Sequence, residues 1–554
     1  MDHLAKRTPW GSTREVHEKT RNLSVFPVFQ RVRSFPNTIR PEGFRVNASI
    51  MQKLANRKRS VERRIDRFDL RGCDQPMLTA RTIHYEIAER TRGIDVGGIG
   101  AMHALVRRLG LIEAINQRVP LLKLHLPYHE SDHVLTIAYN ALCGGTCLQD
   151  LELRRQDEVF LNALGARRIP DPTTAGDFCR RFDAAGIHAL FGAFDVTRWK
   201  VWAEQPAAFF TEAVVDMDGS IVATDGECKQ GMDLSYAGRW GYHPLLVSLA
   251  NTGEVLRIVN RSGNRPSHEG AAEQVDQVLQ VCFGGGFQRV LLRGDTAFAQ
   301  TEHLDRWNQD DRVRFIFGYN ATPNLVNLAE SLPERVWRPL VRPARYAVKT
   351  QPRRRPENVK EAVVVAREFE NLRLQSEEVA EFNYRPTKCR TEYRMVVLRK
   401  NLTKEKGELR LFDDVRYFFY LTNDWVSEPA EIVAQANRRC HQENLLAQLH
   451  GSVRALRAPL DNLDSNWAYM VMTALAWNLK AWWALLLPES PGRWQKRQRE
   501  EKRWVLGLEF KTFVNAFVRL PCQIIRTSRK LIYRLLSWNP HQRIFFRLLT
   551  ALRC

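Results

Sequence analysis

From about residue 97 to 205, apolar residues recur at i, i+3 and i+4 in runs such as AMHALVRRLGLIEAINQRV and SDHVLTIAYNALCGG, which predicts a helical region. Ser131 and the stretch DPTTAGDFCRRFDAAG read as helix starts, followed by a glycine stop. Between 209 and 320 the period shortens. Strands are predicted at 210–217, 242–250 and 254–260, then a helix over 267–281 capped by Ser267. A strand RVLLRG, a helix around 299–308 and a strand RFIFGY complete the order β-β-β-α-β-α-β, an α/β arrangement with a mixed sheet between helices. Residues 321–413 break this rhythm with RPLVRPARYAVKTQPRRRPENVK and then alternating strands such as EAVVVAREF and EYRMVVLRK, a mainly β insertion. DVRYFFYLTND restores a strand, and a long helix begins near 429. The most apolar stretch, NWAYMVMTALAWNLKAWWALLLPES, carries Asn478 and Lys480 near its centre and reads as a buried helix rather than a membrane span.

Charge changes this picture at the two ends. The 554 residues carry a formal net charge of +21. Residues 1–72 hold 17 basic against 7 acidic side chains, and 491–554 hold 15 against 3, so the middle is close to neutral. Such ends suit a polyanion, and their preference for Arg over Lys favours phosphate and base contacts, the bland alternative being solvated basic surface. The chain therefore divides into a basic N-terminal DNA-contacting segment (1–92, with the helix-like run IMQKLANRKRSVERRIDRF), a helical N-terminal domain (93–205) and the first part of the α/β core (206–320). The insertion (321–413), the second part of the core (414–460) and a helical, basic C-terminal region (461–554) follow. The ten cysteines lack paired CxxC spacing, which argues against structural zinc and for a reducing compartment. The first 30 residues have no apolar core of a signal peptide, so a soluble intracellular protein is expected.

The candidate chemistry is acidic. The first strand of the core ends in DMDGS, where Asp216 and Asp218 share a strand face. Carboxylates beside an apolar strand must either be solvated or meet a cation. Asp295 follows the fourth strand in VLLRGDTAF, and the first and fourth strands of such a topology are commonly neighbours. Glu443 lies in the helix ANRRCHQENLLAQLHGSVRAL, where Arg439, Glu443, Ala447, His450 and Arg454 fall at spacings of 4, 4, 3 and 4, one continuous helical face. Three carboxylates of this kind suit Mg²⁺ or Mn²⁺, with the arginines on a phosphate backbone; ordinary i, i+4 ion pairing is the alternative for Arg439 and Glu443. His125, His129 and His133 have i, i+4, i+8 spacing, but Pro127 and a cap at Ser131 would break a single metal-binding face. The loop 226–244, with Asp225, Glu227 and Asp233 nearby, has no assigned role beyond lying near the acids. Trp337 and Tyr346 are candidates for stacking on an extruded base, against ordinary packing; Tyr533 and Trp538 sit in a basic stretch read as an amphipathic helix pair.

On these residues (DMDGS with GYHPLLVSLANTGEVLRIVNRSGNRPSHEGAA, VLLRGDTAF, and FFYLTND through ANRRCHQENLLAQLHGSVRALRAPLDNLDSNWAYMVMTALAWNLKAWW) the sequence resembles the DDE transposases of the bacterial insertion-sequence 1380 family, relatives of the family-4 insertion sequences. The resemblance covers roughly 95–550 and implies an RNase H-like mixed-sheet catalytic core, interrupted by a β-rich insertion before the glutamate helix and flanked by helical N- and C-terminal regions. It implies Asp218, Asp295 and Glu443 as catalytic metal ligands for two Mg²⁺ ions (Mn²⁺ can substitute), Asp218 bridging them, with Asp216 the lesser claimant. Arg439, His450, Arg454 and Trp337 become DNA contacts. Ala436 and His450 stand where the family-4 helix has Tyr and Lys, which leaves those two accessory roles open. The implied partners are double-stranded DNA, as terminal inverted repeats and as target, and further copies of the chain in a homodimer or larger assembly; no membrane is involved. The implied location is cytoplasmic, nucleoid-associated when bound to DNA. The rival readings are a structure-specific endonuclease and a catalytically dead DNA-binding derivative.

Overall fold

The computed structural model describes residues 48–66, 85, 91–125, 127–341, 371–405 and 414–552. Most of the basic N-terminal segment, the strand EAVVVAREF and Tyr346 lie outside them. The described part opens with α1 (Ala48–Asp66), the basic run expected to be helical. The helical region follows as α2 (Ile99–Leu109), α3 (Leu111–Arg118), α4 (Glu130–Leu142), α5 (Pro172–Cys179) and α6 (Ala184–Ala203), with shorter turns between them. Local chemistry fixes these starts. Asp171 caps α5, accepting from the Thr174 N–H at 2.9 Å with Pro172 at the first helical position, and Asp183 caps α6 through the Gly186 N–H at 2.8 Å. Gly186, expected to stop a helix, is thus inside the first turn of one. Likewise Ser131 lies within α4, whose N-cap is His129, because the Asp132 carboxylate accepts the His129 N–H and closes the turn two residues earlier.

The core then lays down β1 (Ala213–Gly219), β2 (Leu245–Leu249), β3 (Glu254–Val259), α7 (Ala271–Gly284), β4 (Val290–Gly294), α8 (Thr301–Asn308) and β5 (Val313–Tyr319), the expected order. Helix α7 begins later than Ser267 because the chain turns at Gly270, which has φ 70°, a conformation that suits glycine. Long strands β6 (Asn371–Tyr384) and β7 (Tyr393–Glu405) come from the insertion, and β8 (Asp414–Thr422) returns to the core. All join one nine-stranded sheet, with the pair Arg338–Pro339 at its far edge, in the order β6-β7-β8-β5-β4-β1-β2-β3 from there. Strands β1, β4 and β5 run parallel, while β2, β3 and the four strands beyond β5 are antiparallel to their neighbours. The central parallel strands are buried on both faces, which is why VLLRG reads as a continuous apolar run rather than an alternating one. The chain beyond Thr422 does not form one long helix. It forms α9 (Pro429–Asn437), a break at Arg438–Arg439, and α10 (Cys440–His450).

The apolar stretch forms α11 (Leu463–Leu485), capped by Asn462 and buried on every side from Ser465 onward. Among the described residues no helix is long and apolar enough to cross a membrane. The polar residues of α11 explain its place. Strand β3 is the edge of the sheet, and Asn478 meets Val255 there twice, accepting its N–H and donating to its C=O, both at 2.9 Å. The Trp477 indole donates to Gly253 O at 2.7 Å, and Trp467 donates to Ile258 O. Lys480 donates to Leu506 O at 2.9 Å and lies over the Trp477 ring, with burial pushing its pKa down to about 7. On the same strand Glu254 is fully buried and fully used. It accepts from Arg198, Trp202, Trp482 and Thr252, and Arg198 also pairs with Asp195, which pairs with Arg257. The helical region, the sheet and α11 thus share one core. After α12 (Gln495–Leu506), the basic stretch around Tyr533 and Trp538, expected as a helix pair, instead forms a hairpin of β9 (Cys522–Arg526) and β10 (Leu531–Leu535), followed by α13 (Gln542–Ala551). The hairpin turn is held by Thr527 and Lys530, and β9 also pairs with Gly93–Ile94.

Because Asn478 stands in for a missing neighbouring strand, Asn478→Leu makes α11 more apolar and the protein less stable. Stranding the Val255 N–H, while Arg198 still donates to the Val255 C=O at 2.8 Å, lowers unfolding free energy by about 1–3 kcal/mol, read as a lower urea midpoint.

Candidate active site

Asp216 and Arg293 are register partners on the parallel pair β1 and β4. Arg293 grips both Asp216 carboxylate oxygens, at 2.7 and 2.8 Å, and its third nitrogen donates to Gln435 O in α9 at 2.7 Å. Asp216 is 1% exposed and has no access to an external ligand. Its neighbour two residues on, Asp218, stands at the strand end beside solvent, and Asp295 stands two residues beyond Arg293. Asp295 caps the short turn Thr296–Phe298, with one oxygen accepting the Ala297 N–H at 2.9 Å. The break between α9 and α10 delivers Arg439, whose guanidinium lies 3.2 Å from Asp218 Oδ2 and 4.0 Å from Asp295 Oδ2. Glu443, one turn into α10, lines a cavity of about 480 Å³ with Asp295, Arg439, Tyr319 and Tyr417. Helix α10 is seated by its own buried Gln442, which takes the Ser248 hydroxyl and donates to Leu246 O on β2.

Gly219 is there for space. A Cβ on it would lie 2.7 Å from His243 Nε2 and 3.0 Å from Ser267 Oγ. Ser220 then meets His450, the last residue of α10, at 2.6 Å. Burial and the nearby Arg457 lower the His450 pKa, so the ring is neutral at physiological pH. Arg454 does not extend this face. Helix α10 ends at His450, and Arg454 takes φ 62° in the irregular segment beyond, so no continuous run carries it three turns past Glu443. Trp337 is likewise no stacking platform. It is buried at 7% exposure beneath Arg399, 4.2 Å from its ring, because the insertion folds that stretch onto the sheet. The loop 226–244 forms a small sheet (Val222–Ala223, Asp233–Leu234 and Trp240–Tyr242) and docks on the segment after α10, with the Gln230 N–H donating to Asp461 O at 2.7 Å.

Electrostatics set Asp218 apart. Burial raises its pKa to about 6, with Asp295 and Glu443 pushing the same way, against Arg439 and the Gly219 N–H. Excess negative charge thus gathers where three carboxylates offer hard oxygens, a setting a Mg²⁺ or Mn²⁺ ion relieves. Their oxygens are not drawn into one cluster, and the Arg439 guanidinium stands by two of them. Sequence reasoning missed the Asp216–Arg293 clamp and the seating role of Gln442. An Arg inside the apolar run VLLRG, two residues before an Asp, was the available signal for the first.

A family model described as transposase DDE domain group 1 matches residues 93–554. The chain is also similar to a cryo-EM structure of piggyBac transposase in a synaptic complex with hairpin DNA, at a TM-score of 0.31 and 9% identity, over 77% of this chain and 83% of that chain. A search of curated proteins finds no match.

The raised Asp218 pKa makes its ionised form a cost to the folded, metal-free protein. That cost is absent below the ordinary carboxylate range, grows as the pH rises from about 4 towards about 6 and is complete above that, reaching at most about 3 kcal/mol. Asp218→Asn therefore raises the melting temperature at pH 8 without divalent ions, by about 1–2 °C for a chain of this size. The advantage falls to about a third of that near pH 4.5, as differential scanning calorimetry at the two pH values will read.

Proposed function

The chain belongs to the transposase DDE domain family, group 1, and from that premise we propose that it is a transposase of the insertion-sequence 1380 type. It cleaves DNA at the terminal inverted repeats of its element and joins the freed ends to target DNA. The observation that carries this reading is the convergence of Asp218, Asp295 and Arg439 from three separate elements, with Glu443 in the same cavity as two of them. The five strands β3-β2-β1-β4-β5, with α10 packed across them, are on this reading an RNase H-like core, and β6 and β7 belong to its insertion. Residues 1–92 and the helical region contribute end recognition, and the C-terminal region contributes backbone contacts and assembly of a dimer or larger complex, within the cytoplasm and on the nucleoid.

Asp218, Asp295 and Glu443 would hold two Mg²⁺ ions, with Mn²⁺ able to replace them. Divalent ions bound there make water or a DNA 3′-hydroxyl a better nucleophile and stabilise the leaving oxygen of an in-line displacement. The protein's own residues do the rest. Asp218 must be deprotonated to serve as a ligand. Arg439 balances the two aspartates before the ions arrive, then turns its guanidinium to the scissile phosphate, whose planar oxygens it fits. Ser220 and His450 tie the strand end to the end of α10, and His450 contacts the DNA backbone as a neutral donor. Helix α9, sharing Arg293 with β1, keeps the helix break in place while DNA enters.

A supercoiled plasmid carrying the element ends tests this. Wild-type protein with Mg²⁺ excises and joins, whereas Asp218→Asn, Asp295→Asn and Glu443→Gln bind the ends and lose cleavage by at least about 100-fold. At limiting Mg²⁺ the wild-type rate climbs as the pH rises through about 6, when Asp218 loses its proton, and levels off above it. Variants that cut like wild type would place the chemistry elsewhere.

A further inference from the structure

We infer that His125, His129 and Glu130 form a binding site for one transition-metal ion of the Zn²⁺ class, where the loop after α3 meets the start of α4. Among the described residues this is the group of three His, Cys, Asp or Glu side chains whose ligand atoms all lie within 4.8 Å of one another. It shares no residue with the carboxylates of the sheet.

Two independent observations point to an ion. The first is an orphaned oxygen. Glu130 is completely buried, and its Oε1 accepts the backbone N–H groups of Leu121 and Leu122, at 3.2 and 2.9 Å. Its Oε2 is buried with no hydrogen-bond donor at all. A buried carboxylate oxygen in that condition is rare and calls for a partner. His125 Nδ1 lies 3.4 Å from it. That is long for a charged hydrogen bond, which closes to about 2.7–2.9 Å. It is instead close to the spacing of about 3.3 Å between two donors that each sit about 2.0–2.1 Å from one tetrahedral ion.

The second is the imidazole pair. The rings of His125 and His129 lie stacked, with centroids 5.0 Å apart and planes 11° from parallel, so both rings border the same small space. Both histidines are exposed, and their outer side is open to water or to a further ligand. Two imidazoles and one carboxylate are the donors of open Zn²⁺ sites and suit softer ions better than Mg²⁺. The helix end adds positive charge here, and Glu130 with Asp132 in the first turn of α4 offsets it. His133, the third histidine of the spacing, is not part of the group. It is buried flat against Phe178, and burial pushes its pKa down to about 4. Pro127 breaks the helical spacing and, in doing so, lets His125 fold back onto the helix start. The bound ion would fasten the loop carrying His125 to the first turn of α4, in a region whose Tyr128 hydroxyl already holds Ile169 O at 3.0 Å.

Equilibrium dialysis of the untagged full-length chain with Zn²⁺, in excess Mg²⁺ to occupy the sheet carboxylates, tests the site. Co²⁺ absorption in the visible reports its geometry. Wild type should take up one more Zn²⁺ per chain than His125→Ala/His129→Ala, with at least about 10-fold higher affinity, and show the intense bands of four- or five-coordinate Co²⁺. The double variant alters exposed side chains and so should fold. Glu130→Gln adds a second arm and should weaken binding if it folds. Asp218→Asn should bind Zn²⁺ as wild type does, which separates this site from the transposase chemistry. Equal uptake by wild type and the double variant, or none by wild type, overturns the assignment and leaves a plain His125–Glu130 ion pair.

Discussion

The placement of Asp218, Asp295 and Arg439 depends on one buried ion pair. Arg293 holds Asp216 with two nitrogens and the α9 carbonyl of Gln435 with the third, so a single guanidinium fixes β1, β4 and α9 to one another. Counting outward from that clamp gives the site. Two residues beyond Asp216 is Asp218, two beyond Arg293 is Asp295, and four beyond Gln435 is Arg439. A buried pair of this kind adds little net stability, since desolvation offsets much of the attraction. What it supplies is registry. A one-residue slip between β1 and β4 would turn the side chains of the slipped strand to the opposite face of the sheet.

Two aspartates on the same face of one strand therefore do opposite things, and their partners decide which. Asp216 is matched in the core by a bidentate arginine. Asp218 faces two further carboxylates and only a single shared arginine, and its pKa climbs to about 6. The fold leaves this charge poorly balanced, whereas the oxygens of Glu254 take four side-chain donors. Local imbalance of this kind is where a protein can hold affinity for an external cation.

Much of this was legible in the sequence. The switch from helical to strand period, the order of the core elements and the places of Asp218 and Asp295 at the ends of neighbouring strands follow from patterns of apolar residues and the acids that end them. What stayed hidden depends on contacts distant in the chain. The break at Arg438–Arg439 is one case: ANRRCHQENLLAQ carries no Pro or Gly, and nothing local announces that the helix restarts there. Arg454 is a different case, since its periodic spacing runs past Gly451, a local stop directly after the last residue of α10. Trp337 went to the core because Arg399, sixty residues on, covers its ring. RTSRKLIYRLLSW holds apolar residues that suit either a helix or a strand, and its pairing with Cys522–Arg526 decides for the strand.

The break between α9 and α10 also explains why the site needs two helices where the sequence suggested one. A straight helix from 429 to 450 would have to satisfy two anchors at once, the Gln435 carbonyl on Arg293 of β4 and the Gln442 side chain on Ser248 of β2. Those anchors lie on opposite sides of β1 in the sheet. Residues 435 and 442 are two helical turns apart, about 10 Å along an axis, which matches two strand spacings of about 4.8 Å only if the chain runs nearly square across the strands. With the break at Arg439 each helix can meet its own strand at its own angle, and the residue at the junction is left over the gap between β1 and β4. That residue is the arginine that reaches both aspartates, so the helix break and the charge compensation are one structural event.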